Sequence, residues 1–475
     1  MTPERAVAIV RDSSGPELVE RLAHLDRLPA RRADVALSPP PIGTRHDFDV
    51  VIAGGGLSLL YAPLLAARGM RVLVVERARA GVAHREWNAS RPELEVLVRV
   101  GLAAQRDLDE ELIVARYDHG ICRWFGGGEQ RVRGVLDCAV DAGALLTRAR
   151  DHAERVGVEL LDGASVTGLG CGDSAVRVQI TSAAGPREVL ARVFVDARGA
   201  SSPYATADLV CPTVGGVMTG LAEGDGPTEL RRNVGEILVT TEDLVEGRQH
   251  LWEAFPGRPG ETAVYLFHYT RARDRAPGSL TNRYARFFTE LPRYKRGRAD
   301  LARATFGFIP GWSRLSPAPS PPHPRVVLVG DAAARHSPLT FCGFGATLRS
   351  LESAPAAIER VADGAVVVSA VHDTPIHEGT GALALMLTSP PRDPHALNEL
   401  LDAAFGSLSS LGGDALGRLL RDEMDLRELV AFLQATARTR PRVYSDVLKQ
   451  LGVGSTLRWG ARLSRRLVSG TTYSR

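Results

Sequence analysis

The chain has 475 residues, of which 44% are apolar and 24% charged. That length exceeds what one hydrophobic core organises, and that composition excludes both wholesale disorder and a polytopic membrane protein. The 58 basic and 55 acidic residues leave a net charge of +3, too balanced for a chain whose main partner is nucleic acid.

The predicted elements follow in chain order. Residues 1–47 read as an N-terminal helical extension that ends in a proline-rich linker, Ser38-Pro39-Pro40-Pro41-Ile42-Gly43. Their opening stretch lacks the apolar core of a signal peptide, which leaves a reducing cytoplasmic location as the default. From Phe48 the order is buried strand, the glycine turn Gly54-Gly55-Gly56, a helix to about Arg68, and a second strand, Arg71 to Glu76. This is a βαβ unit. Val50 to Ala67 carries no charge and could pass for a membrane span, but the glycines and Pro63 punctuate it as strand, turn and helix. Pro63 also predicts an irregular or kinked start to that helix.

Ser90-Arg91-Pro92-Glu93 is a capping box that should open a helix through Val100, and a further helix is expected from about Asp141 to Val156. Short strands follow, with the alternation Val176-Arg177-Val178-Gln179-Ile180 marking a half-exposed meander and Val193-Phe194-Val195 its return to a buried sheet. Residues 206–317 read as an inserted, β-rich unit with a helix near Leu280 to Glu290. A strand at Arg325 to Val329 then leads into a helical region, 361–475. The fold class is therefore α/β. A discontinuous Rossmann-like dinucleotide-binding domain, 48–205 and 318–360, is interrupted by a β-rich substrate domain, 206–317, with helical extensions at both ends. The five cysteines are scattered without CxxC pairs, which argues against zinc and against a disulfide scaffold.

The glycine turn carries the first chemistry. Glycines between a strand and a helix let the backbone approach a pyrophosphate, and the helix start stabilises its charge. Glu76, with Arg77 beside it, ends the next strand, where an acidic side chain can accept ribose hydroxyls. Leu59 stands where the usual third glycine would be. Two later segments complete a pattern. Val195-Asp196-Ala197-Arg198-Gly199 ends a strand, and Val329-Gly330-Asp331-Ala332 ends another, followed by Gly343 and Gly345.

In that order and spacing the three segments resemble flavoproteins of the p-hydroxybenzoate hydroxylase-like superfamily. The resemblance implies FAD: Gly54, Gly55, Gly56, Glu76, Arg77, Asp196 and Gly199 around its adenosine half, Gly330 and Asp331 at the ribityl chain. Gly343 and Gly345 would admit the isoalloxazine edge to a helix start. No separate NAD(P)H fingerprint is visible, so a nicotinamide reductant would bind transiently.

A narrower resemblance rests on Arg85-Glu86-Trp87-Asn88, Trp252-Glu253-Ala254-Phe255-Pro256 and Ser337 to Gly345. These are similar to segments of the CruA/CruP-type lycopene cyclase family, with Ser58 and Cys342 standing where that family carries glycine. The implied reaction is acid-catalysed cyclisation of a polyene end group, in which reduced FAD stabilises the cation. Glu253, flanked by aromatics, is the first candidate acid and Glu86 the second. For each, the plainer reading is a solvated strand residue or the partner of an arginine. Superfamily-level motifs support a different reading, an NAD(P)H-dependent hydroxylase or reductase on a hydrophobic substrate. The departures at Leu59, Pro63 and Cys342 motivate a third, a non-catalytic flavin- or carotenoid-binding protein.

His336 either lines the flavin or caps a helix, while His372 and His377 read as surface residues. The glycine clusters at Gly126–Gly128 and Gly168–Gly170 read as hairpin loops. Between Arg283 and Arg303, aromatic and basic residues interleave in a way that fits an amphipathic helix edge and a basic loop better than a nucleic-acid groove. The basic C-terminal stretch, with Trp459, Leu463 and Leu467 at helical spacing, fits either an interfacial helix on a membrane surface or a solvated tail.

Overall fold

A computed structural model describes residues 1–27, 33–83, 86–205, 207–315, 321–334, 336–340, 342–366, 376–389 and 391–469. Arg85, Phe341 and His372, and the side chain of His377, lie outside the described residues.

Five parallel strands form the first domain's sheet, in the order Val326–Leu328, the end of Gly185–Asp196, Phe48–Ala53, Val72–Glu76 and Glu159–Asp162. Such strands are covered on both faces and therefore read as unbroken apolar runs. Val50, Ile52, Val72, Val74, Val193 and Val195 face one core, and Val51, Ala53, Leu73, Val75 and Phe194 face another. The twelve-residue strand Gly185–Asp196 joins two systems. Its first part pairs antiparallel with Val176–Ser182 in the meander, and from Ala191 it runs parallel to Phe48–Ala53. The expected return into a buried sheet is thus one bent strand.

The helix after the glycine turn starts irregularly, as Pro63 predicts: a 3-10 turn, Leu57–Leu60, precedes the α-helix Tyr61–Ala66. The capping box is formed, with the Ser90 N–H donating to Glu93 Oε2 at 2.9 Å at the head of Arg91–Arg99.

The substrate sheet runs Glu129–Val132, His119–Arg123, Val234–Val239, Leu251–Pro256, Glu261–Phe267 and Leu209–Leu221, with Gly297–Gly311 along the outer edge of the last. Two of its strands come from residues 119–132, so the substrate domain is not confined to 206–317. Val234–Val239 pairs in parallel with His119–Arg123, a long-range contact that local sequence pattern does not specify. Gly126–Gly128 form the hairpin loop between those two N-terminal strands, as expected.

Each face of this sheet has its own cover. On one, Trp252, Ala254, Val264 and Leu266 pack against Leu280, Tyr284 and Phe287 of the helix Ser279–Tyr294, and against Ala6, Val10 and Leu22 of the first two helices, Pro3–Ser14 and Pro16–Asp26. Residues 1–26 are therefore part of this domain and not an appendage. Asp26 caps the helix Ser279–Tyr294, accepting from the N–H groups of Leu280 and Thr281, both at 2.8 Å. On the other face, Leu251, Phe255, Phe267 and Tyr269 meet Leu339 and the C-terminal helices through Leu401, Phe405 and Leu429.

Several surface readings change. Gly168 and Gly170 lie inside the strand Ala164–Cys171 and not in a loop; a Cβ on Gly170 would sit 2.5 Å from the Ser38 carbonyl, because the linker runs directly over it. The aromatic and basic stretch from Arg283 is core and ion pairs: Lys295 is buried against Glu236, and Arg296 and Arg298 pair with Glu229 and Asp300. Trp459 and Leu463 pack inward on the C-terminal core. No helix among the described residues is long and apolar enough to cross a membrane.

Candidate functional site

The site begins at the carboxyl ends of the parallel strands. Gly54 has φ +119°, and a Cβ there would lie 2.4 Å from the Ala197 carbonyl oxygen, so the first turn needs glycine on both counts. A Cβ on Gly55 would meet that of Ala80 at 2.6 Å, whereas Gly56 faces open space. The first N–H groups of the following 3-10 turn lack intrahelical acceptors, which suits an anion at this opening. Glu76 accepts from the N–H of Gly55 at 2.7 Å and of Ala78 at 2.9 Å, and a half-buried carboxylate so held keeps further lone pairs for a ribose. Arg77 is exposed beside it.

The departures from the glycine rule have local explanations. Ser58 is buried and its hydroxyl donates to the Gly54 carbonyl at 2.7 Å, which ties the turn together. Leu59 is buried opposite Gly81, where an added Cβ would lie 3.4 Å from Leu59 Cδ2. Gly81 itself, at φ +81°, passes closest to the helix Ala142–Arg155, where an added Cβ would lie 3.0 Å from the Leu146 carbonyl oxygen and 3.1 Å from the Arg150 Cβ.

Asp196 corrects the expectation of a cofactor contact. It is fully buried, and its carboxylate accepts from Arg198 and from the Ser202 hydroxyl at 2.7 Å. Arg198 in turn makes two bonds to Asp34, at 2.8 and 2.9 Å. Asp196 therefore shapes the turn and anchors the linker. Gly199, at φ +61°, lets that turn pass Asp331: a Cβ on Gly199 would be 3.8 Å from the Asp331 Cβ. Gly330, at φ +57°, ends the last parallel strand.

Asp331 is partly exposed and projects toward the helix Gly343–Ser350; its Oδ1 is 3.6 Å from where a Gly343 Cβ would be. His336 is buried, with Nδ1 3.9 Å from Asp331 Oδ1 and Nε2 3.0 Å from the Pro310 carbonyl, and burial lowers its pKa. Gly345 is the second correction. It faces away from Asp331, and a Cβ there would sit 2.6 Å from Glu93 Oε1, in the ion-pair cluster of Glu93, Arg349 and Asp422.

The three segments of the narrower sequence pattern are linked in a chain that starts at this helix. Trp87 packs on Phe344 with ring centroids 4.9 Å apart. Asn88 donates to the Tyr117 hydroxyl at 3.3 Å, and that hydroxyl donates to the Pro256 carbonyl, which links the first segment to the second. Trp87 Nε1 and Thr340 Oγ1 are buried without a hydrogen-bond partner among the described residues.

Glu253 lies on the strand Leu251–Pro256, opposite Tyr265, sharing the face of Leu251 and Phe255 that looks toward Leu339. It makes no hydrogen bond or ion pair among the described residues. Protein surrounds it on most sides, and part of its surface stays accessible. Desolvation alone pushes its pKa up to about 8, so it is mostly protonated at neutral pH. Its charge, when present, is felt by Cys122, Cys211, Tyr269 and Cys342. Cys342, just before the helix, is a neutral thiol whose pKa burial pushes up to about 12. Tyr269, which sequence reasoning passed over, donates its hydroxyl to the Leu339 carbonyl and so ties the substrate sheet to the segment after Asp331. Glu86 differs sharply from Glu253: it pairs with Arg303, which also binds Glu261, and is no free acid.

No family model and no curated protein matches the chain by sequence. Solved structures match its fold. A geranylgeranyl bacteriochlorophyll reductase-like protein from Thermoplasma acidophilum superposes with TM-score 0.52 at 16% identity, covering 85% of this chain and 98% of that one. The p-nitrophenol 4-monooxygenase of Pseudomonas putida DLL-E4 gives 0.53 at 18%, covering 79% and 97%. The halogenase PltM, in complex with phloroglucinol and FAD, gives 0.54 at 14%, covering 82% and 85%. The fold is the α/β architecture shared with these proteins, a Rossmann-like domain interrupted by a β-rich one.

Proposed function

We propose that the chain binds FAD along the line from Gly54 to Gly343 and acts as a flavin-dependent oxidoreductase on a hydrophobic substrate, with Glu253 as its proton donor. The observation that carries this reading is a carboxyl on the inner face of the substrate sheet that has no hydrogen-bond or ion-pair partner among the described residues and shares the face that packs toward Leu339.

The residues fit the cofactor. Gly54 lets the turn pass the Ala197 carbonyl, Gly56 leaves open space for the backbone approach that a pyrophosphate needs, Glu76 can take ribose hydroxyls, and Asp331 can take a ribityl hydroxyl. The unpartnered Trp87 Nε1 and Thr340 Oγ1 offer polar groups beside the helix start. FAD bound there would supply two-electron chemistry, recharged by NAD(P)H binding transiently. The protein's part is to hold an apolar substrate against Leu251, Phe255 and Phe267, to exclude water, and to deliver the Glu253 proton to a substrate carbon. Proton delivery to carbon favours reduction of a double bond over hydroxylation within this class.

A second reading is favoured by the same side chain. An acid kept neutral in apolar surroundings is also what cyclisation of a lycopene-type end group requires. There the proton starts the reaction, a neighbouring double bond captures the cation, and no net electrons are consumed. A lipid-soluble substrate of either kind would be gathered at a membrane surface. Tyr444, Leu448, Val453 and Leu457 stand exposed near Lys449, Arg458 and Arg462, and they are better placed for such contact than the inward-facing Trp459 and Leu463.

The two readings part on electrons. Purified protein would be supplied with NAD(P)H and polyprenyl or carotenoid substrates, and the gene would be expressed in a lycopene-accumulating host. A reduced product matched by NAD(P)H oxidation supports the first; a cyclic carotenoid without net NAD(P)H use supports the second. Purification without flavin, and no thermal stabilisation by added FAD, overturns both.

A further inference from the structure

The opposite face of the substrate sheet carries a cavity of about 580 Å³, away from Glu253. His250 and His268 line it from the ends of the strands Leu251–Pro256 and Glu261–Phe267, Arg248 from the preceding loop, and Arg283 and Arg286 from the helix Ser279–Tyr294. Arg283 is 7% exposed. Its Nε and Nη1 have no hydrogen-bond partner among the described residues, and its Nη2 has only His268 Nε2, at 3.5 Å. His268 is 2% exposed, and its Nδ1 is unpartnered among the same residues.

Among the described residues no carboxylate pairs with Arg283. Arg248 and Arg286 add like charge, and burial with their repulsion brings its pKa down only to about 9, so it stays charged at neutral pH. The nearby carboxylate of Glu242 is taken up by Arg286 and approaches His250 Nδ1 at 3.5 Å. The rim acids Asp274 and Glu290 pair with Arg273 and Arg293, and Glu246 is exposed. A guanidinium buried without a counter-charge is unfavourable, and its planar fork suits two oxygens of one anionic group.

We propose that this cavity binds a small ligand through an oxyanion group, a carboxylate or a phosphate, held by Arg283 and Arg286 with His268 donating from Nδ1. The volume is that of a small-molecule site, so the oxyanion belongs to an organic acid or phosphate ester that sits on the far side of the sheet from the flavin. The inference does not depend on the reaction proposed above.

The test uses the full chain with its cofactor. Inorganic phosphate and succinate are titrated by calorimetry and thermal melting, against sodium chloride at matched ionic strength. The expected result is saturable binding and a raised melting temperature with phosphate, succinate or both, beyond the chloride control. The probe that acts identifies the group. Arg283→Met should weaken binding roughly tenfold or more, and Arg248→Gln, at the half-exposed mouth, by a smaller factor. If Arg283→Met does not fold, Arg248→Gln decides by the same criterion. No effect beyond chloride, or binding unchanged in the folded variants, overturns the proposal.

Discussion

The two faces of the substrate sheet each hold a largely buried ionisable side chain that has no charged partner among the described residues, and they resolve it in opposite ways. Glu253, on the flavin-side face, loses its charge by keeping a proton, which desolvation alone achieves at neutral pH. Arg283, on the helix-side face, cannot do the same, because its pKa stays well above neutrality even when lowered. The first condition makes an acid ready to give its proton to carbon. The second makes a fixed positive charge that an incoming anion would stabilise.

The comparison can be broken most decisively at Glu253. Glu253→Gln keeps shape and apolar surroundings but removes the transferable proton, so turnover should fall roughly a hundredfold or more while flavin binding is kept. Retention of activity would move the acid elsewhere. Gly54→Val should be next in size. Its side chain would meet the Ala197 carbonyl in a left-handed backbone conformation, costing about 2 to 5 kcal/mol by denaturant melts and releasing flavin.

Two arginine variants sharpen the contrast. Arg349→Met removes a charged partner of both Glu93 and Asp422 and should destabilise by about 3 kcal/mol. Arg283→Met removes a charge that has no acid to leave behind, so stability should hold within about 1 kcal/mol or rise. A large loss there would mean that Arg283 is structural. Asp331→Ala should weaken FAD by roughly tenfold with little effect on melting.

A last test is a pH dependence with a defined sign. A folded carboxyl with pKa about 8 binds a proton that the unfolded chain releases near 4.5. Stability should therefore fall as pH rises through that window, and Glu253→Gln should flatten the slope. Turnover should fall as pH rises through about 8.

Much of the site was legible because it is local. The glycine turn with Glu76, the strand ending in Gly330-Asp331, and a glutamate among aromatics are each written within a few residues. What sequence reading missed is non-local. Asp196 looked like a cofactor contact because its partner Asp34, acting through Arg198, lies 164 residues from that arginine. Gly345 looked like part of the flavin edge, but it makes room for Glu93. Residues 119–132 seemed to belong to the first domain, since nothing in their own pattern announces a parallel pairing with Val234–Val239. The burial of Lys295, in a run that looked basic and solvated, depends on Glu236 in another strand.

The packing of the first two helices on the substrate sheet has a consequence for how the chain comes into being. Ala6, Val10 and Leu22 emerge from the ribosome well before Trp252, Tyr284 and Phe287, which cover them. At about 5–20 residues per second, some 280 further residues take roughly 15 to 60 seconds to appear. Through that interval two short helices, marginal on their own, hold an apolar stripe with nothing to cover it. These helices must wait for the middle of the chain before they can be finished, and they are where a chaperone would find this protein during synthesis.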